Sequence, residues 1–275
     1  MRGVKHYPKR GGTAQMSTVT KALGLLEYFS KSRPEIGLSN FTQLTNFDKG
    51  TVFRYLTALR DQGFLDQNPL TKAYRLGPAF IRLAAVREIT VPLVSLVAPI
   101  VDRLAEDTHE LVHAALPQMK GMSTLHYLDG GHGGIRVGFN GAGLLPFHAT
   151  SSGIAMLAFG HPDLFKNVIS GEFEKFTDQT SVQANDLTQR IEYVRSSGFA
   201  AANQWFEADV CSVALPFFDG KGIALGTISI ATPASRMSDD ARTSLVHTLV
   251  HACTALTSTL GGQVPAYVSS IWAHL

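Results

Sequence analysis

Cysteine is scarce in this chain: Cys211 and Cys253 are the only two among 275 residues. So low a count suggests no disulfide framework and fits a reducing compartment, here read as the cytoplasm. Long apolar runs are missing too. None reaches the ~18 residues that a membrane-crossing helix needs, so no membrane partner is expected. The first 16 residues, MRGVKHYPKRGGTAQM, are basic but contain no apolar stretch of the kind that marks a secretory signal. They read as a flexible basic arm able to touch phosphate, or as a plain unstructured tail, or translation starts at Met16. Internal repeats and low-complexity tracts are also absent. Charged residues make up only 17% of the chain and hydrophobic ones 45%, the balance of a folded globular protein. At this length two domains, each with its own core, are expected.

Net charge is nearly absent as well, at +2, but the total conceals a partition. Residues 1–77 carry 12 Lys and Arg against 5 Asp and Glu, a balance of +7; residues 78–275 carry 12 against 17, a balance of −5. A basic head on an acidic body favours approach of the head, and only the head, to a polyanion.

What is present is concentrated between Leu38 and Gly77. Phe41, Leu44 and Thr45 share one face of a short helix that Ser39 is placed to cap. Asn46, Phe47 and Asp48 form a turn, with Asn46 able to take a left-handed backbone and Asp48 able to cap the next helix. Val52, Leu56 and Leu59 make the buried stripe of that second helix, and Gly63 ends it. Its other face holds Lys49, Thr51, Phe53, Arg54 and Thr57. Two strands, Phe64 to Gln67 and Ala73 to Leu76, follow around an Asn68-Pro69 turn, with Lys72 and Arg75 on the hairpin. With a first helix over Thr20 to Ser30, its Ala22, Leu23, Leu26 and Phe29 inward, this is the order of a winged helix-turn-helix. Such a unit offers the Thr51 and Arg54 face to base edges and phosphates of double-stranded DNA.

A helix over Pro78 to Glu88 reads as a linker across residues 78–91, and a second over Pro92 to Asp107 contains Pro99. Beyond them strands are expected at Val112–Leu116, Met122–Asp129, Ile135–Phe139, Phe199–Trp205, Val210–Phe218 and Ile223–Ala231. Helices are expected at Ser151–Phe159, Asp163–Ile169, Asn185–Ser197 and Ser238–Leu260. Asp219-Gly220-Lys221-Gly222 is a hairpin turn. Helices before and after a set of strands predict an α+β domain with a largely antiparallel sheet over residues 92–262, followed by an unassigned tail, 263–275.

In the body, Thr150-Ser151-Ser152-Gly153 precedes an apolar helical run. Hydroxyls and free amides at a helix start form a site for a carboxylate, or simply a cap. Cys211 and Ser229 lie on strands that the Gly220 hairpin would pair; they could orient a small ligand, or Cys211 could be an inert buried thiol. His109-Glu110-Leu111-Val112-His113 spells H-E-x-x-H, which binds zinc only on a helix. Here it falls where a helix ends and a strand begins, which separates the imidazoles, so no metal site and no cofactor are expected. The rival reading is a hydrolase using Cys211 or the His109/His113 pair. Gly130 to Gly134 lacks the Lys and Ser/Thr of a phosphate loop and reads as a hairpin loop.

Two segments carry a resemblance to a known family. One is Lys49-Gly50-Thr51-Val52-Phe53-Arg54-Tyr55-Leu56 with Gly63 and the wing ending Tyr74-Arg75-Leu76-Gly77. The other is Pro146 to Ala155 (PFHATSSGIA) followed by Cys211 to Pro216 (CSVALP). Together they resemble the IclR family of bacterial transcription regulators, from about Thr20 to Gly262. The resemblance implies a winged helix-turn-helix over 17–77, a linker helix and a GAF-like effector-binding domain, and a regulator rather than an enzyme; the family contains both repressors and activators, and repression is the reading favoured here. It implies homodimers, often paired into dimers of dimers, on palindromic operators. DNA contacts would fall at Ser39, Lys49, Thr51, Phe53, Arg54, Tyr55, Lys72 and Arg75. Contacts to a small carboxylate effector would fall at Ala149, Thr150, Ser151, Ser152, Gly153, Asn203, Asp209, Cys211 and Ser229. The chain departs from the family's usual residues at Ile154, Asn203, Gln204 and Ala208, all around that pocket.

Overall fold

The computed structural model describes residues 17–131 and 135–275. The basic arm, 1–16, and part of the Gly130–Gly134 loop lie outside the described residues. The chain divides into two compact units, residues 1–87 and 88–275.

In the first unit Ser17 caps α1 (Thr18–Gly24) by accepting the Thr20 amide at 3.1 Å. The expected helix to Ser30 stops early: after Gly24 the chain tightens into a 3-10 turn, Leu26–Tyr28. That rotates the stripe, so Leu25 is buried and Leu23 faces solvent, the reverse of the expected orientation for Leu23. Helix α2 (Leu38–Thr45) begins one residue before Ser39, with Gly37 at the cap position and no side-chain cap; Ser39 is therefore not the cap. Asn46 closes α2 at φ 57°. Asp48 caps α3 (Lys49–Asp61), its Oδ1 accepting the Thr51 amide at 2.9 Å. Gly63 takes φ 75°, which only glycine adopts cheaply. Strands β1 (Leu65–Gln67) and β2 (Tyr74–Leu76) pair antiparallel as the wing. Phe41, Val52, Leu56, Leu59, Leu65 and Tyr74 form the small core.

Helix α4 (Ala79–Thr90) carries the chain across the division between the units. The second unit continues with α5 (Leu93–Thr108), which contains Pro99. Strands β3 (Leu111–Gln118) and β4 (Gly121–Asp129) follow, then β5 (Leu144–Leu145). Helices α6 (Ser151–Phe159), α7 (Pro162–Ile169) and α8 (Ala184–Ser197) precede β6 (Ala200–Asn203), β7 (Val210–Phe218) and β8 (Ala224–Pro233). Helices α9 (Asp239–Thr259) and α10 (Ala266–Trp272) end the chain. The six strands form one antiparallel sheet in the order β5-β4-β3-β8-β7-β6. Helix α6 lies on one face, and α5 and α9 pack on the other.

Two expectations fail here. Ile135–Phe139 is not a strand; β5 takes the edge beside β4. Phe139 instead stacks on His113 and tilts against Tyr127, each at 5.0 Å, so its ring is used for packing rather than its backbone for pairing. Residues 263–275 are also more than an unassigned tail. Val268 and Trp272 are buried in the main core, and Trp272 Nε1 donates to the Gly198 carbonyl at 2.8 Å. Among the described residues no single helix is long and apolar enough to cross a membrane.

Candidate nucleic-acid interface and effector site

Helix α3 has two chemically distinct sides. Val52, Tyr55, Leu56 and Leu59 are buried, whereas Lys49, Phe53 and Arg54 are exposed and Thr51 is half-buried. The Arg54 guanidinium reaches the Thr51 hydroxyl at 3.4 Å, and the hydrogen bond from Thr51 to Asp48 holds the Asp48 carboxyl below its ordinary range. The start of the helix is thus fixed by its own residues while the lysine and arginine project outward. On the wing, Asn68 Oδ1 accepts the Leu70 and Thr71 amides and makes the turn tight. Lys72 sits beyond it at φ 58° and is exposed. Arg75 is exposed but paired with Asp66 at 2.7 Å, which holds Asp66 in its charged form. Tyr55 differs from the rest of the expected DNA-contacting set: it is 8% exposed, edge-on to Phe47 at 6.4 Å, and belongs to the core of the head. Ser39 is exposed within α2.

The second site is built at the start of α6. Thr150 is the cap: its hydroxyl accepts the Gly153 amide at 3.1 Å and donates to the Pro146 carbonyl at 2.8 Å. Gly153 allows the helix to press on the turn before it, since a Cβ there would lie 2.4 Å from the Phe147 backbone. The Ser151 hydroxyl donates to Ser212 Oγ at 2.7 Å and meets Ser229 Oγ at 3.0 Å. The Ser152 hydroxyl lies 3.0 Å from His113 Nε2. His113 is buried, its Nδ1 has no partner among the described residues, and burial pulls its pKa down to about 4, so it is a neutral imidazole at pH 7. Four hydroxyls and an imidazole therefore converge on a helix N-terminus, where amides and the helix dipole favour an anion. Nearby, His148 Nε2 donates to the Glu174 carbonyl at 2.8 Å, and its ring lies 5.0 Å from Phe173 and 5.7 Å from Phe176.

A family model described as the IclR helix-turn-helix domain matches residues 18–69, and one described as the C-terminal domain of the bacterial transcriptional regulator IclR matches residues 88–270. The chain belongs to the IclR family of bacterial transcriptional regulators. It is 26% identical over 247 residues to the HTH-type transcriptional regulator KdgR of Dickeya chrysanthemi, covering 90% of this chain and 80% of that one. The crystal structure of an IclR-type regulator from a Silicibacter species is 37% identical, with a TM-score of 0.83 over 91% of this chain and 99% of that one. An IclR homologue from Microbacterium hydrocarbonoxydans, crystallised with 4-hydroxybenzoate, shares the fold at 21% identity, with a TM-score of 0.73 over 89% and 99% of the two chains. The IclR-family chain is thus a DNA-binding, ligand-responsive transcription regulator.

The sheet register sorts the remaining residues of the expected effector set. Ser229 pairs with Ala214 and His113, so Ser212, Ser229 and His113 share the α6 face. Cys211 pairs with Thr232 and Asn203, and faces the other way, where it feels the charge of Arg242 on α9. Cys211 and Ser229 therefore do not meet; Ser212, the next residue, takes the place expected of the cysteine. Asn203 lines a cleft of about 500 Å³ at the β6 edge, and Asp209 lines a separate one of about 260 Å³ with Arg136 and Glu207. Ala149 is buried just before the α6 cap.

The features of the hydrolase reading take other roles. Burial pushes the Cys211 thiol up, the opposite of an activated nucleophile. His109 closes α5 at φ 55° and His113 is in β3, so the H-E-x-x-H string spans a helix end and a strand. Glu110 is held by Arg236 at 2.7 Å and by the Thr232 hydroxyl at 2.8 Å.

Proposed function

We propose that this regulator is a cytoplasmic repressor whose hold on a palindromic operator is set by a small organic acid bound at the start of α6. The observation that carries the proposal is the meeting of Ser151, Ser152, Ser212, Ser229 and His113 at one helix N-terminus. A carboxylate there accepts from the hydroxyls and first-turn amides, while the rings of Phe173 and Phe176 nearby suit an apolar or aromatic remainder. The 4-hydroxybenzoate of the Microbacterium homologue is an acid of that kind. Lys49, Thr51, Phe53 and Arg54 on α3, with Lys72 and Arg75 on the wing, supply the DNA contacts. Repression needs only that the head cover promoter DNA, whereas activation needs a further surface for polymerase.

A palindromic operator calls for at least a dimer. The exposed apolar side chains of α4, Ile81, Leu83, Val86 and Ile89, give a surface for self-association into a homodimer or a dimer of dimers. The effector must favour one arrangement of the assembly over another, because equal affinity for both shifts nothing. Catalysis is no part of this reading.

The test is binding of the full-length protein to DNA flanking its own gene, against a scrambled duplex, over a salt series and with a panel of carboxylates. Sequence-preferring binding that weakens steeply with salt, and is changed by one acid, is the expected result. If calorimetry gives no heat with any carboxylate while DNA binding is intact, the effector half of the proposal fails.

A further inference from the structure

The cleft at the β6 edge carries chemistry that neither the DNA interface nor the α6 site uses. Its volume is about 500 Å³, and Gln189, Arg190, Tyr193, Asn203, Trp205 and Arg242 are among the residues that line it. The Arg190 guanidinium lies 3.8 Å over the Trp205 ring. It makes no hydrogen bond or ion pair among the described residues, and its partial burial lowers its pKa. A guanidinium has five N–H donors, and desolvating them without acceptors is costly. None of the Arg190 nitrogens is buried without a partner, so they are open to the cleft; Arg242 carries the buried deficit, since its Nη1 reaches Asp239 at 3.0 Å but its Nε is buried without a partner. Two guanidiniums with unused donors thus face one cleft. Asp186 is the one carboxylate in the lining, and it accepts from the Ser181 hydroxyl at 2.6 Å.

We propose that this cleft is a second small-molecule site, separate from the α6 site, for a small polyhydroxylated anion. Its anionic oxygens would take the fork geometry of Arg190 and the Nε of Arg242. Its hydroxyl groups would donate to Asp186 and exchange hydrogen bonds with Asn203 and Gln189. Trp205 would hold Arg190 in position by cation–π attraction before the ligand arrives. Ser212 points to the α6 site, while Cys211 and its partner Asn203 point away from it; the cleft wraps the β6 edge, where Ile154 of α6 also lines it, so the two sites adjoin without sharing a polar group. The anion could be a carboxylate or a phosphate ester, and both are probed.

Trp205 makes the test direct, because with excitation selective for tryptophan the signal comes from Trp205 and Trp272 alone, and Trp272 is buried in the core. Full-length protein is titrated with gluconate, the carboxylate arm, and with glycerol 3-phosphate, the phosphate arm, by tryptophan fluorescence and calorimetry. One of them is expected to give a saturable change. Arg190→Gln and Arg242→Gln should each weaken it by roughly tenfold, the loss of a charge-assisted bond. Ser151→Ala, at the α6 site, should leave it unchanged, and Trp205→Phe should remove the optical signal but not the heat. Circular dichroism checks that each variant folds; if Arg190→Gln does not, Arg190→Lys and Arg242→Gln carry the test. Three results overturn the proposal: no saturable binding of either anion at millimolar concentration, binding that survives both arginine variants, or binding lost in Ser151→Ala. A change of oligomeric state in the arginine variants, without anion binding by the wild type, would make the cleft an interface instead.

Discussion

Acid should weaken the second unit through His113 in particular. The side chain is 5% exposed, stacked on Phe139, and pinned through Nε2 to Ser152. Burial holds its pKa near 4, against 6.5 for an unperturbed histidine. Between those values the unfolded chain binds a proton that the folded chain refuses. The stability due to this residue is therefore complete above pH 6.5, is lost as pH falls, and is fully gone below about pH 4. The slope in that window is about 1.4 kcal/mol per pH unit. From pH 7 to pH 5 His113 alone should thus cost about 2 kcal/mol, a large share of a typical domain's stability. The assay is urea unfolding of the wild type and His113→Gln at pH 7, 6 and 5, followed by circular dichroism. Glutamine keeps an amide for Ser152 and does not titrate, and the remaining histidines cancel in the difference. The stability gap between the two proteins should close, or invert, by about 2 kcal/mol as pH falls to 5. Parallel pH profiles would refute the reasoning, since they would mean that His113 is protonated as easily in the folded protein as in the unfolded one.

Other substitutions separate roles that sequence position alone confuses. Arg54→Ala should leave the melting temperature of the head almost unchanged but weaken operator binding by roughly tenfold and lower the salt slope by about one. Its neighbour Tyr55→Ala should do the opposite first, costing about 3 kcal/mol of stability through a cavity, as thermal melts would show; an unaltered melt with lost DNA binding would return Tyr55 to the DNA interface. Ser212→Ala should reduce the calorimetric affinity for the α6-site acid, while Cys211→Ala should not; the reverse order would mean that the strand register of β7 is wrong. Trp272→Ala should destabilise the second unit by about 3 kcal/mol or more, measured by urea unfolding, because that ring and its bond to Gly198 anchor α10.

Local signals carried the head of the molecule. Asn46 takes its left-handed turn, Asp48 caps the helix that displays Arg54, and Gly63 has the positive φ that ends it. Each depends on a residue and its neighbours within a few positions, so each was legible in the chain. Most of the order of helices and strands in the body was legible for the same reason; the edge strand β5, the absent strand at Ile135–Phe139 and the terminal helix α10 were not. Where local rules failed, a competing local choice won: the 3-10 turn after Gly24 rotated Leu23 outward, and Gly37 rather than Ser39 began α2.

The sites in the body depended on pairing at a distance. Counting back from the Asp219–Gly222 turn, with Phe218 opposite Ala224, puts Cys211 on the face of Ser229. The structure skips one residue of β8, Leu225, so that Phe217 pairs with Gly226 and Ser229 with Ala214. A one-residue bulge reverses which side chains point to each face, and so Ser212 replaces Cys211. Tyr55 is a different case: with Val52, Leu56 and Leu59 it completes an i, i+3, i+4, i+7 stripe, so helical spacing already placed its ring inward, and the structure bears that spacing out against the expected DNA contact. The unused donors of Arg190 and Arg242 also become visible only when α8, β6 and α9 are brought to one cleft. Sequence by itself determined most of the elements, caps such as Asp48, and the charge partition between head and body, because those follow from short-range backbone and side-chain preferences and from composition. Tertiary structure alone decided which polar groups share a site, because the register of a sheet is set by contacts between residues far apart in the chain.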